Sequence, residues 1–267
     1  TLTSVAAAFA LSACTMIPQY EQPKVEVAET FKNDTADSGI RAVDLGWHDY
    51  FADPRLQKLI DIALERNTSL RTAVLNSEIY RKQYMIERNN LLPTLAANAG
   101  GSRQGSLSGG NVSSSYNVGL GAASYELDLF GRVRSSSEAA LQGYFASVAN
   151  RDAAHLSLIA TVAKAYFNER YAEEAMSLAQ RVLKTREATY KLSELRYKAG
   201  VISAVALRQQ EALIESAKAD YANAVRSREQ ARNALATLIN QPIPDNLPAG
   251  LPLDKQFFVE KLPAGLS

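Results

Sequence analysis

The stretch Ser115-Tyr116-Asn117-Val118-Gly119-Leu120-Gly121-Ala122 decides how this chain is read. Tyr116, Val118, Leu120 and Ala122 alternate with Ser115, Asn117, Gly119 and Gly121, so one face is apolar and the other small or polar. Period two is the mark of a β-strand with unlike faces. Upstream, Thr94 to Arg103 alternates more weakly through Leu95, Ala97 and Ala99, and Gln104 to Ser114 between them is mostly Ser, Gly and Asn. The pattern predicts a hairpin with a long tip. Two environments fit its apolar face: a soluble core, or lipid, as in a membrane β-barrel with about ten residues per strand and aromatics at the interfaces. Tyr116, Tyr125 and Phe130 are available as those aromatics. The apolar parity changes after Ala122, to Tyr125, Leu127 and Leu129, which reads as the strand giving way to a differently packed connector, or as a bulge. A lone hairpin has unpaired edges and cannot cross a bilayer, so burial in lipid demands several closed together.

Outside this insertion the sequence turns helical. The nine prolines leave Thr94 to Gln241 empty, and seven of the fourteen glycines crowd between Gly100 and Gly121. Asp53-Pro54 supplies an N-cap acceptor and a first-turn proline, and Leu91-Leu92-Pro93 ends the helix that follows. Leu56, Leu59, Ala63, Leu70, Ala73, Tyr80 and Tyr84 keep to one side of it, with Asn67 and Ser77 as polar gaps. A second helix is predicted from near Ser135 towards Lys198, through Leu156, Ile159, Ala163 and Tyr166, then Leu178, Val182, Leu192 and Leu195. Glu187 with Lys191 and Glu194 with Lys198 add pairs one turn apart. A third runs from about Ser203 to Ile239. At 1.5 Å per residue the second reaches on the order of 90 Å and the third about 55 Å. Such lengths belong to coiled coils or helical tubes.

Composition removes other classes. With 29 basic and 28 acidic side chains the net charge is +1, which provides no field for nucleic acid. No run of 18 apolar residues is present for a transmembrane helix. One cysteine and two histidines, His48 and His155, build neither a disulfide framework nor a zinc site. No cofactor is expected, apart from a covalent lipid. That lipid is read from Val5 to Leu11, a short apolar run leading into Leu11-Ser12-Ala13-Cys14. The run has the shape of a signal peptide whose start is missing. The four residues resemble the lipobox of bacterial lipoproteins, in which Cys14 is acylated and becomes the mature N-terminus.

In order along the chain, further motifs are Leu45-Gly46-Trp47 with Phe51 and Asp53-Pro54, then Leu56, Leu59-Ile60, Ala63-Leu64 and Asn67, then Leu91-Leu92-Pro93-Thr94. Tyr125-Glu126-Leu127-Asp128-Leu129-Phe130-Gly131-Arg132, Ala165-Tyr166-Phe167, Arg196, Gly200, Ser203 and Gln209 follow. With the lipobox and the hairpin, this series resembles the TolC-like outer membrane factors, in their lipoprotein branch that serves drug efflux. The resemblance implies a mainly α fold with a small β part. Long antiparallel helices would form a periplasmic α-barrel, and a β-hairpin would contribute to an outer-membrane β-barrel. It implies a division into a truncated signal peptide (1–13), a lipidated arm (14–46), an equatorial segment and first long helix (47–93), a membrane hairpin (94–130), long helices turning near 199–203 (131–240), and a connector (241–267). The family subunit has two such repeats, so this chain looks like the first.

The resemblance further implies a homotrimeric exit duct in the cell outer membrane, partnered by outer-membrane lipid, a periplasmic adaptor and an inner-membrane pump. Its cargo would be drugs or other small toxic molecules. Tyr116, Val118, Leu120 and Ala122 would face the membrane. The turn of Arg196, Ala199, Gly200, Val201, Ile202 and Ser203 would receive the adaptor, although a C-cap glycine at Gly200 needs no such role. The alternatives are an exit duct for secreted proteins and a non-channel coiled-coil lipoprotein. Enzymatic readings fare poorly. Glu126 and Asp128 form a carboxylate pair without a sugar platform, Gly119-x-Gly121 lacks the strand that precedes a dinucleotide loop, and Gly105-Ser106-Leu107-Ser108-Gly109 has Leu where a nucleophilic serine belongs.

Overall fold

The computed structural model describes residues 45–105 and 112–258. Its elements are α1 (Trp47–Tyr50), α2 (Pro54–Arg66), α3 (Thr68–Asn89), β1 (Thr94–Gln104), β2 (Ser113–Ser124), α4 (Arg132–Lys198), α5 (Ala204–Leu238) and a short 3₁₀ turn (Leu253–Lys255). A mainly helical chain with a two-stranded antiparallel sheet is the fold class the sequence implies. Among the described residues no helix is long and apolar enough to cross a membrane.

The helix expected from Pro54 to the Leu91-Leu92 pair is two helices, because Asn67 leaves the helical backbone (φ −65°, ψ 125°). Three bonds fix the break. The Asn67 N–H donates to the Ala63 carbonyl at 2.8 Å, its Oδ1 accepts from Leu70 N at 3.0 Å, and its Nδ2 donates to the Leu238 carbonyl at 2.9 Å. One side chain thus caps α3 and ties it to the end of α5.

Two compact units share the chain. One contains residues 45–71 and 153–258, and its core joins Leu56, Leu59, Ile60, Ala63 and Leu70 to Leu158, Ile159, Val162, Ala163 and Tyr166 of α4. Leu235, Ile239 and Ile243 complete it. Burying each large aliphatic side chain is worth about 1.5–3 kcal/mol, so this cluster is the main source of stability in the unit. The buried stripe on α4 passes through Leu158, whereas Leu156, expected on it, is 68% exposed. Leu178, Val182, Leu192 and Leu195 also stay exposed. Periodicity placed them on a common stripe, but no described residue covers it. Of the two expected charge pairs, Glu194–Lys198 forms at 3.2 Å, and Glu187–Lys191 is not among the ion pairs of the described residues.

Asp53 shows why the chain ends of this unit are held. Its Oδ1 accepts from Arg55 N at 2.8 Å, the N-cap bond expected at the start of α2. Its Oδ2 accepts from Tyr166 Oη at 2.6 Å, Leu251 N at 2.8 Å and Gln256 Nε2 at 3.1 Å. Asp53 is fully buried, and these four donors offset the cost of burying its carboxylate. The connector after α5 is further fixed by Phe258 N on the Tyr50 carbonyl at 3.1 Å, and by Phe257 packed on Tyr50, Phe51 and Phe167.

The second unit contains Thr72–Asp152: most of α3, the hairpin and the start of α4.

Candidate functional site

The hairpin pairs Leu95 with Ala122, Ala97 with Leu120, Ala99 with Val118, Gly101 with Tyr116 and Arg103 with Ser114. These rungs make one face. The other carries Ala96, Asn98, Gly100, Ser102 and Gln104 opposite Gly121, Gly119, Asn117, Ser115 and Ser113. On the first face Leu95, Tyr116, Val118 and Leu120 are each more than 80% exposed, so no soluble core lies beneath them among the described residues. The backbone of Ala122 lies on this face, while its side chain is outside the described residues.

The second face is polar but uncharged, and it is shaped by two glycines. A Cβ at Gly119 would stand 2.8 Å from Asn98 Oδ1, and one at Gly100 2.7 Å from Asn117 Oδ1. Each asparagine therefore lies over the glycine opposite it, and a side chain there would have to push the asparagine aside. The alternation in sequence pointed to these faces but not to this interlock.

Both readings of the parity change apply. The register slips between Thr94 and Leu95, where β1 advances one residue and β2 two, and β2 ends at Ser124. Beyond it Glu126 and Asp128, considered above as a carboxylate pair, each engage an arginine. Glu126 accepts both Nε and Nη2 of Arg132, and Arg132 holds its carboxyl below the ordinary glutamate range. Asp128 accepts from the Arg134 backbone N–H at 2.9 Å and from its Nε at 3.3 Å. Desolvation opposes ionisation of Asp128, but the N–H groups of Arg134 and Val133 outweigh it and lower its pKa. Gly131, at φ 75°, turns the chain so that Asp128 reaches the first turn of α4 and caps it. Ser136 Oγ donates to Glu87 Oε2 at 3.2 Å, joining α4 to the end of α3. The two carboxylates are structural clamps at the base of the hairpin.

At the other candidate site, α4 ends in a Schellman turn. Gly200 has φ 73°, its N–H donates to the Tyr197 carbonyl at 2.9 Å, and Val201 N donates to the Arg196 carbonyl at 2.9 Å. Ser203 then caps α5, its Oγ accepting from Ala206 N at 3.2 Å. Arg196, Ala199, Val201 and Ser203 are exposed and Ile202 half-buried, so the turn presents a valine and an arginine outward. The strand residues and the turn residues belong to different compact units. His48 stacks on Trp47, and among the described residues no group of side chains could hold a metal ion. Cys14 and Gly105-Ser106-Leu107-Ser108-Gly109 beyond its first residue lie outside the described residues.

The pattern described as outer membrane efflux protein matches residues 59–241, more than half of the chain. The chain belongs to this family. It is 87% identical to the Neisseria gonorrhoeae MtrE outer membrane channel, crystallised in its open state, with a TM-score of 0.82 over 95% of this chain and 57% of that one. It is 36% identical to the probable efflux pump outer membrane protein TtgC of Pseudomonas putida, covering 99% of this chain and 57% of TtgC. It is 35% identical to the probable outer membrane lipoprotein SilC of Salmonella typhimurium, covering 89% of this chain and 52% of SilC. The chain thus spans little more than half the length of the relatives it matches. Membership places this outer membrane efflux protein in the outer membrane.

Proposed function

We propose that the chain forms part of a passive exit duct through which a tripartite pump exports drugs or other small toxic molecules. The observation that carries this reading is the two-faced hairpin: an apolar face without a soluble core and an uncharged polar face shaped by Asn98 and Asn117. In a closed barrel the first face meets lipid and the second lines a water-filled lumen. A non-channel coiled-coil rod has no use for such a hairpin. The helices α4 and α5 would continue the conduit into the periplasm, their exposed stripes covered by the other helices of a homotrimer. The Schellman turn of Arg196, Gly200, Val201, Ile202 and Ser203 would receive the adaptor, which in turn reaches the inner-membrane pump. Cys14 would carry the lipid anchor. The duct performs no bond chemistry, and energy enters at the pump.

The test is accumulation of a fluorescent pump substrate in cells whose own channel is deleted. Complementation with the protein should restore low accumulation. Val118→Arg, on the apolar face, should reduce assembly in the outer membrane, whereas Ser115→Arg, on the polar face, should leave assembly intact and alter flux. Equal effects of the two substitutions would refute the two-faced barrel. Val201→Asp at the turn should leave assembly intact and raise accumulation, and normal efflux by that variant would remove the docking assignment.

A further inference from the structure

The two strands contain a single charged residue, and it lies on the apolar face. Arg103 pairs with Ser114, one rung beyond Gly101 and Tyr116, at the end of the hairpin away from the helices. Among the described residues its side chain has no ion-pair or hydrogen-bond partner. Parity excludes it from the polar face of Asn98 and Asn117.

Depth resolves why a charge is tolerated there. From Leu95 to Arg103 the strand advances eight residues, about 27 Å at roughly 3.4 Å each. At a barrel tilt of 35–45° this is about 20 Å along the membrane normal, which carries Arg103 towards the far edge of a band about 25 Å tall. The helices lie at the near edge, so the far edge is the outer leaflet. An unpaired guanidinium beside an aromatic at that level faces headgroups, and its planar fork matches a phosphate with two parallel bonds. The hydroxyl of Ser114, opposite on the same face, adds a donor.

We propose that Arg103, with Ser114, binds the phosphate of an anionic lipid headgroup in the outer leaflet and so fixes the depth of the barrel. This rests on the barrel reading above. The experiment uses the full protein in detergent micelles with lipid A, either bis-phosphorylated or dephosphorylated, and counts retained lipid by native mass spectrometry. The unsubstituted protein should retain the phosphorylated form up to about fivefold better, the upper end of what an exposed ion pair supplies. Arg103→Gln should erase that preference, and Arg103→Lys should keep part of it.

An unchanged preference in Arg103→Gln would overturn the proposal, as would full displacement of the lipid by millimolar inorganic phosphate, which marks a general anion site. A spin label at Val118→Cys in vesicles separates the two readings. Contact of the label with lipid, together with an unchanged preference, defeats only the headgroup site. A label in water defeats the barrel reading and the site with it.

Discussion

Replacing Tyr166 with Phe removes one hydroxyl from the buried node around Asp53 while keeping the ring that packs in the core. The lost bond is 2.6 Å long and runs to a fully buried carboxylate. Bonds to charged groups contribute about 1.5–3 kcal/mol, and here the carboxylate keeps its other three donors, so the node loosens without collapsing. Leu251 N shares the same Oδ2, so its opening reports the change directly. Amide exchange at Leu251 should accelerate by about 10- to 100-fold, as that energy range converts at 1.4 kcal/mol per decade. Amides in the middle of α4, such as Val162, should change far less.

Burial, and after it the bond to Asp53, push the Tyr166 hydroxyl well above the ordinary tyrosine value of 10.0. The bond's contribution is therefore complete below that value, and is lost only as the pH rises through the raised one. Gly250→Ala gives a second route to the same node, since a Cβ there would run into Tyr166 Oη. It should release Leu251 at least as much as Tyr166→Phe. Exchange at Leu251 within twofold of the unsubstituted protein in both variants would refute the reasoning.

Asn67→Ala removes both the cap of α3 and the link to Leu238, and should destabilise the unit by about 1–2 kcal/mol in guanidinium unfolding. Gly200→Ala forces a side chain into the left-handed region and should cost about 1–2 kcal/mol, measured the same way, with Gly200→Asn milder. Val118→Arg, whose rung with Ala99 lies nearest the middle of the band by the same strand advance, should lower the stability of the assembled barrel by about 2–4 kcal/mol, read from urea titration in lipid vesicles. The Glu126–Arg132 clamp strengthens where Glu126 is ionised. Its contribution is full above the ordinary value of 4.5 and disappears as the pH falls through the lowered one. Glu126→Gln should then show faster exchange at the start of α4 at neutral pH and none of that difference in strong acid.

The long helices and the hairpin were legible because glycine and proline punctuate the chain so unevenly and because periods of two and of three to four do not overlap. The break at Asn67 was not. An asparagine on a helical stripe reads as a polar gap, and one of the bonds that fix the break here runs to a carbonyl 171 residues away. Asp53 was legible as a cap because Pro54 follows it, whereas Tyr166, Leu251 and Gln256 reach it only through the folded chain. Leu156 and Leu158 both satisfy a helical stripe at the precision of counting, and only packing decides between them. The exposed stripe of Leu178, Val182, Leu192 and Leu195 shows the other boundary of the method: periodicity reports that a face is apolar, not what covers it. At the hairpin, alternation separated the two faces, but Arg103 acquires meaning only once register assigns it to the apolar one.

The uncovered hairpin also sets an order of events. The core around Tyr166 closes with contacts drawn from this chain, so it can form before any partner arrives. Among the described residues the strands have such contacts only with each other. In the proposed barrel the two exposed faces of the hairpin would gain an environment only when neighbouring strands and lipid arrive together, so the hairpin would be the last part to become complete. Until then the apolar rungs are a hazard for premature association. Chaperones that escort the newly made chain would therefore be needed at the hairpin, as well as at the uncovered stripe of α4.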